Sequence, residues 1–289
     1  MDVTDTALTS NGTRLSHASE YLGRLRESTP AAFAEGVARK RFAEDGYLLV
    51  RNAVPRETVL ALREAYFRRF DPCLLKDGDA RRGRFSGTLP AGLPSHGTKG
   101  HPAYDFVRSD EFIAFRQSPA FRAMAETLLG GPVKPVWRTP LRHFIPGRQV
   151  ASRAHVDRTY LQCDVESCVT IWVPLGDCPQ GAGGLIYLEK SHADPAIEDL
   201  SREVAPTDRP FDRRPLTHDL KWLAEATGRR WLGTDYLAGD VVLHSPNIVH
   251  ASTDAQIDEM RVSTDIRFLR ADAPADPRWQ AHWSADDGY

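Results

Sequence analysis

Apolar and polar positions along the chain follow two rules, with the change near residue 133. Residues 1–35 are polar and weakly periodic and read as a loose leader carrying one short helix. In Arg41-Phe42-Ala43-Glu44-Asp45-Gly46-Tyr47-Leu48-Leu49-Val50 a helix stops at Gly46, and Tyr47–Val50 follows as a short buried strand. Pro55 suits the first turn of a helix, along which Val59, Leu62, Tyr66 and Phe70 recur at helical spacing. Another helix opens on Ser118 as N-cap with Pro119 in its first position, carries Phe121, Met124 and Leu128 on one face, and stops at Gly130. Between these two, residues 71–110 are rich in Gly, Pro and Arg and have no period. A stretch of that kind inside a compact domain is a lid, a binding loop or a disordered segment.

From Val133 onward the pattern is that of strands. The candidates are 134–145, 148–156, 167–175, 184–189, 232–237, 240–244, 248–251 and 260–270, punctuated by Pro and Gly as in a sandwich or barrel. The interval 195–231 interrupts them with mixed charge and a helical portion, Leu216–Ala226. The expected fold class is therefore α+β, mainly β with flanking helices. It comprises a leader over 1–40, one domain over 41–270 that includes a substrate loop at 71–110 and an insertion at 195–231, and a tail over 271–289. The expected core is a single β-barrel.

Composition narrows the function classes. With 289 residues the chain can bury about three-quarters of its unfolded surface and needs no disulfide or structural metal to fold. A net charge of −2 argues against nucleic acid as a partner, because that affinity rests on a basic excess. No apolar run approaches the roughly 20 residues of a membrane span, and the first residues lack a basic and then apolar leader. Cys73, Cys163, Cys168 and Cys178 form no CxxC pair and read as free thiols. The expectation is a soluble cytoplasmic enzyme, monomer or homodimer, acting on a small molecule.

The chemistry rests on an ordered set of residues. His155-Val156-Asp157 places an imidazole and a carboxylate on one side of an extended segment. His250 ends an apolar strand further on, and two His with one carboxylate, other positions left open, is the donor set of non-haem Fe(II) oxygenases. Arg261 follows eleven residues after His250, and Ser252 two residues after it. The strand carrying Arg261 alternates, with Val262, Ile266 and Phe268 on an apolar face and Arg261, Ser263, Asp265 and Arg267 on a polar one that is expected to look inward. An inward arginine with its planar fork suits the distal carboxylate of a dicarboxylic 2-oxo acid. His192-Ala193-Asp194 repeats the HxD pattern, but Pro195 follows it, a turn precedes it and too few strands separate it from His250, while His244 lacks the Ser and Arg that follow His250; both read as strand-end or loop histidines.

The segments FAEDGYLLVRNAVPRE, HVD, TIWVPLGDCPQGAGGLIYLEKSH, GDVVLHSPNIVHAS and RVSTDIRF, in this order, resemble the phytanoyl-CoA dioxygenase family over roughly residues 40–270. The resemblance implies a double-stranded β-helix (jelly-roll, cupin-like) core and an Fe(II)/2-oxoglutarate oxygenase that consumes O2 and releases succinate and CO2. It implies His155, Asp157 and His250 as iron ligands, and Arg261 with Ser252 as partners of 2-oxoglutarate. Trp172 matches a family aromatic and is a candidate cofactor contact, and Gly183-Gly184-Leu185 matches a turn before a strand, although core packing and a tight hairpin explain them better than direct catalysis does. Arg142, His143 and Gln149 are alternative partners for the 2-oxo acid carboxylate, and His96, His101, His143 and Arg267 are candidates for the substrate side. Related halogenases carry Gly or Ala in place of the ligand carboxylate, so Asp157 favours hydroxylation or another oxidation in secondary metabolism. A metal-dependent isomerase or hydrolase, or a non-catalytic binding module on the same barrel, stays open as an alternative.

Overall fold

The computed structural model describes residues 8–15, 20–148, 151–161, 163–197 and 215–285. Two sheets lie face to face. The larger runs β4 (Glu27–Ser28), β5 (Tyr47–Val50), β11 (Val241–His244), β8 (Cys168–Pro174) and β13 (Arg261–Arg270), and β13 also pairs with β6 (Val133–Pro135) and β7 (Leu141–Phe144). The smaller has the order β12 (His250–Ser252), β9 (Leu185–Leu188), β10 (Trp231–Gly233) and β3 (Leu22–Arg24).

Strand alternation sorts the side chains into layers. Tyr47, Leu49, Trp172 and Val242 of the larger sheet meet Leu185, Tyr187 and Leu232 of the smaller one in a buried cluster between the sheets. The opposite face of the larger sheet, with Leu48, Val50, Val169, Ile171, Val173, Val262, Ile266 and Phe268, packs under helices. Those helices are α2 (Ala38–Asp45), α3 (Arg56–Phe67), α4 (Pro102–Phe106), α5 (Asp110–Arg116) and α6 (Pro119–Leu129). Behind the smaller sheet, Ile186, Leu188, Trp231 and Ala251 pack on a helix over Leu220–Thr227 and on Leu8 and Leu15. Helix ends match the sequence signals: Gly46 and Gly130 close α2 and α6 in the left-handed conformation, and Ser118 Oγ accepts the Ala120 N–H.

Three expectations are corrected. The β core is not a closed barrel: the sheets remain separate, and their edge strands β3, β4 and β12 are only two or three residues long. The leader is not loose over its described part. It forms a hairpin of β1 (Thr9–Ser10) and β2 (Thr13–Arg14), lends β3 parallel to β10 and β4 parallel to β5, and adds the short helix α1 (Ala31–Ala34). Its polar residues conceal this because the short strands are held by backbone bonds at sheet edges. Of the strand expected over 148–156, the described residues make only isolated bridges, Ala154 to Thr217 and His155 to His250. The 71–110 segment is tied down at Leu74 and Leu75, which are buried, and at Arg84, whose guanidinium meets Asp258 and Glu259. Residues 198–214 of the expected insertion lie outside the described residues.

Candidate metal centre

The backbone brings the two histidines together. His155 and His250 exchange N–H···O bonds of 3.0 Å in both directions, so the segment carrying His155 is paired with β12 at that point. Each imidazole turns back on its own chain: His155 Nδ1 is 2.7 Å from the Arg153 carbonyl and His250 Nδ1 is 3.1 Å from the Ile248 carbonyl. A carbonyl only accepts, so Nδ1 carries the proton in both rings and Nε2 presents a lone pair. Asp157 Oδ1 lies 3.9 Å from His155 Nε2 and 3.8 Å from His250 Nε2, and the three donor atoms fall within 4.8 Å of one another.

The other carboxylate oxygen is occupied. Asp157 Oδ2 accepts from Thr170 Oγ1 at 2.8 Å and from Arg267 Nη2 at 3.2 Å, and His244 Nε2 stands 3.5 Å away. Arg267 Nε also donates to Thr170 Oγ1 at 3.2 Å. Thr170, His244 and Arg267 come from adjacent positions on β8, β11 and β13, where Thr170 pairs with both of the others. Burial alone would raise the Asp157 pKa, but the Arg267 guanidinium and the neighbouring imidazoles hold it well below the usual carboxylate range. Burial lowers His155 and carries His250 well below the ordinary imidazole value. The site therefore presents two neutral imidazoles and one anion, the protonation state a divalent metal requires.

Behind this triad, between the sheets, lies Arg261. Its Nε donates to Ser263 Oγ at 3.1 Å, its Nη1 donates to the Gly183 carbonyl, and its guanidinium sits 4.2 Å above the Phe144 ring. Its Nη2 is buried without a partner, as is the indole Nε1 of Trp172, whose ring centre lies 5.7 Å from the guanidinium carbon. Burial lowers the Arg261 pKa to about 10, so the group stays cationic at neutral pH. Gly183 adopts φ +90°, and a Cβ there would press on Phe144 and the Thr253 carbonyl at 3.1 and 3.2 Å. Ser252 Oγ accepts the Ser152 N–H at 2.7 Å, which leaves its own proton to donate elsewhere.

A cleft of about 320 Å³ opens beside His155 and Asp157, and its wall includes His96, Arg142 and Arg267. Arg142 Nε is 3.7 Å from Asp265 Oδ2. Two residues expected on the substrate side are placed elsewhere. His143 alternates with Arg142 on β7 and so points to the opposite face, where it is fully buried beside Phe67 and Phe70 with Nδ1 2.9 Å from Tyr66 Oη. His101 is buried against Phe70, and its Nδ1 caps α4 by accepting the Ala103 N–H at 3.2 Å. Gln149 lies outside the described residues. Arg267, read as a substrate contact, is committed to Asp157. Thr170 and His244 are the functional neighbours that the reading of the sequence missed. His244 lacks the companions of a metal ligand, yet alternation along Val241–His244 turns it to the same inner face as Val242.

Residues 42–262 match the family described as Phytanoyl-CoA dioxygenase (PhyH). No curated protein sequence matches the chain. Among solved structures, the epimerase SnoN from nogalamycin biosynthesis in complex with Fe3+, alpha ketoglutarate and nogalamycin RO is similar with a TM-score of 0.56 and 22% identity, over 86% of this chain and 87% of that one. The carbocyclase SnoK from nogalamycin biosynthesis aligns with a TM-score of 0.55 and 22% identity over 83% and 85%. EvdO2 from Micromonospora carbonacea var. aurantiaca complexed with 2-oxoglutarate aligns with a TM-score of 0.54 and 19% identity over 85% and 96%. At these identities the structural likeness speaks to the fold, which is that of the jelly-roll enzymes.

Proposed function

The chain belongs to the phytanoyl-CoA dioxygenase family, and from that premise we propose that it oxidises a small-molecule metabolite, using iron held by His155, Asp157 and His250. Its cofactor and cosubstrate are iron and 2-oxoglutarate. The observation that carries the residue assignment is the division of labour within the triad: three donor atoms converge, and each ligand's remaining polar atom is already spent on the protein. When bound, iron with 2-oxoglutarate and O2 supplies hydrogen abstraction from carbon, with release of succinate and CO2. The protein's own share is to hold and orient. Arg261 Nη2 and Trp172 Nε1, buried donors without acceptors, would receive the distal carboxylate of 2-oxoglutarate, and Ser252 would add its hydroxyl.

Hydroxylation, ring closure and epimerisation can all begin with the same hydrogen abstraction, and SnoN and SnoK are an epimerase and a carbocyclase. Both come from nogalamycin biosynthesis, which supports a natural-product scaffold as the target. A metal-dependent hydrolase would leave the lone donor of Arg261 without a purpose, so the oxygenase reading is preferred. Anaerobic addition of Fe(II) and then 2-oxoglutarate should produce a weak visible metal-to-ligand charge-transfer band that needs both additions. Asp157→Ala and His155→Ala should abolish the band and any succinate formation, and full turnover by either variant would refute the assignment.

A further inference from the structure

We propose that the leader hairpin β1–β2 is a clasp for the 2-oxoglutarate pocket, with Asp254 as the positioning residue through which it acts. The proposal rests on the reading of the site as iron- and 2-oxoglutarate-dependent. The hairpin closes on a two-residue turn, with Asn11 at φ +51° and Gly12 at φ +75° between the paired Ser10 and Thr13. Its tip folds over the Asp254 carboxylate. Oδ1 accepts the Asn11 N–H at 2.9 Å, and Oδ2 accepts the Gly12 N–H at 3.0 Å and the Thr9 hydroxyl at 2.6 Å. The Asp254 N–H donates in turn to the Thr9 carbonyl at 2.7 Å, and the buried Ser10 hydroxyl donates to the Ser252 carbonyl at 2.8 Å. Leu8 and Leu15, at the two feet of the hairpin, are buried in one cluster with Ile186 and Ala251. The leader is thus fastened to the segment that follows His250.

That segment meets the supports of both residues proposed to hold the distal carboxylate. Ser252 lies two positions before Asp254, and its hydroxyl is fixed by the Ser152 N–H at 2.7 Å. Thr253 donates its N–H to the Gly184 carbonyl at 3.1 Å and its hydroxyl to the Gln180 carbonyl at 3.0 Å, and Gln256 donates its N–H to the Gly181 carbonyl at 2.7 Å. These bonds brace the turn at Gly183, whose carbonyl accepts from Arg261 Nη1. Ser252 and Arg261 are therefore aimed by one stretch of backbone, and the leader holds that stretch at Asp254. Hydrogen bonds weaken steeply as their donors are misaligned, so a support of this kind sets the affinity of a pocket without touching its ligand. The iron ligands are fastened otherwise, His155 to His250 and His250 to Tyr187 of β9, so the clasp bears on the cosubstrate rather than on the metal.

The test is the visible band of the anaerobic Fe(II) protein, titrated with 2-oxoglutarate and in parallel with 2-oxobutyrate, which lacks the distal carboxylate. Two variants undo the clasp from opposite sides. Asp254→Ala removes the carboxylate, and Asn11→Pro removes a donated N–H and cannot adopt φ +51°. Each should raise the half-saturating concentration of 2-oxoglutarate about tenfold, the lower end of what residues standing behind a direct contact contribute. Each should leave the 2-oxobutyrate titration and the affinity for Co(II) as in the wild type. An unshifted 2-oxoglutarate titration, equal weakening of the two acids, or loss of Co(II) binding by both variants would each overturn the clasp. A wild type without a band refutes the iron and 2-oxoglutarate reading, and the clasp with it. A wild-type band with unshifted variants refutes the clasp alone.

Discussion

Arg261→Leu is the perturbation that most directly probes the cosubstrate side of the site. The buried guanidinium spends Nε and Nη1 on Ser263 and Gly183, and Nη2 with its two protons has no acceptor. A carboxylate placed there gains one or two charge-assisted hydrogen bonds at roughly 1.5–3 kcal/mol each. Desolvating the carboxylate offsets part of the gain, so the expected loss on removal is about 2–5 kcal/mol, or roughly 30- to 5,000-fold in the 2-oxoglutarate requirement. The assay is succinate formation against 2-oxoglutarate concentration, with consumption of 2-oxobutyrate, which lacks the distal carboxylate, measured in parallel. The wild type should discriminate between the two acids by that factor, and the variant should treat them nearly alike. Stability gives an independent readout. Leucine removes a lone buried cation together with two hydrogen bonds, so the ligand-free melting temperature should change little while the rise induced by 2-oxoglutarate disappears. An unchanged 2-oxoglutarate requirement in a folded variant would refute the reasoning outright.

Three further outcomes are expected. Thr170→Val removes the 2.8 Å bond to Asp157 Oδ2 and the acceptor of Arg267 Nε, so Co(II) affinity measured by visible titration should fall about 10- to 100-fold; unaltered affinity would mean that the tether does not orient the ligand. Arg63→Met removes a buried guanidinium that donates to the carbonyls of Leu175, Arg82, Gly83 and Met260, and urea unfolding should show a loss of about 3–5 kcal/mol, whereas a loss below about 1 kcal/mol would contradict the stapling role. Burial pulls His96 to about 4, His101 to about 3 and His143 well below 6.5. The unfolded chain therefore takes up protons near pH 6.5 that the folded one refuses, so stability present above that pH is lost as pH falls towards 4, by at most about 1.4 kcal/mol per pH unit for each histidine. His143→Phe should remove one histidine's share of that slope, and identical slopes for variant and wild type would count against its burial as the neutral form.

What the sequence reveals about this site depends on how local the signal is. His155 and Asp157 are two residues apart, and His250 sits on an apolar run, so spacing alone exposes them. The polar face of β13 is legible for the same reason: Arg261, Ser263, Asp265 and Arg267 differ from Val262, Ile266 and Phe268 by strand parity. Parity also decides against His143, but only once the register of β7 against β13 is known, since Val262 pairs with His143 and Ser263 with Arg142. Thr170 and His244 required that register too. Neither has a distinctive neighbour in sequence, and each acquires its role through pairing between β8, β11 and β13. The open sheets and the leader's edge strands were hidden differently, because two- and three-residue strands held by backbone bonds carry no hydrophobic period.

The asymmetry of Asp157 bears on the reaction more than its identity does. A carboxylate with both oxygens free can take two coordination positions on a metal. Here Oδ2 is bound by Thr170 and Arg267 and faced by His244, so only Oδ1 is turned to the two imidazoles. Iron held by one donor atom from each of these three residues would keep positions open for the cosubstrate and O2. The side chains that occupy Oδ2 lie on β8, β11 and β13 at the centre of the larger sheet, while the His155 segment is joined by isolated bridges. The central strands thus set how the carboxylate is presented, and the bridged segment places His155 and Asp157 at the border of the cleft, where a substrate would be admitted.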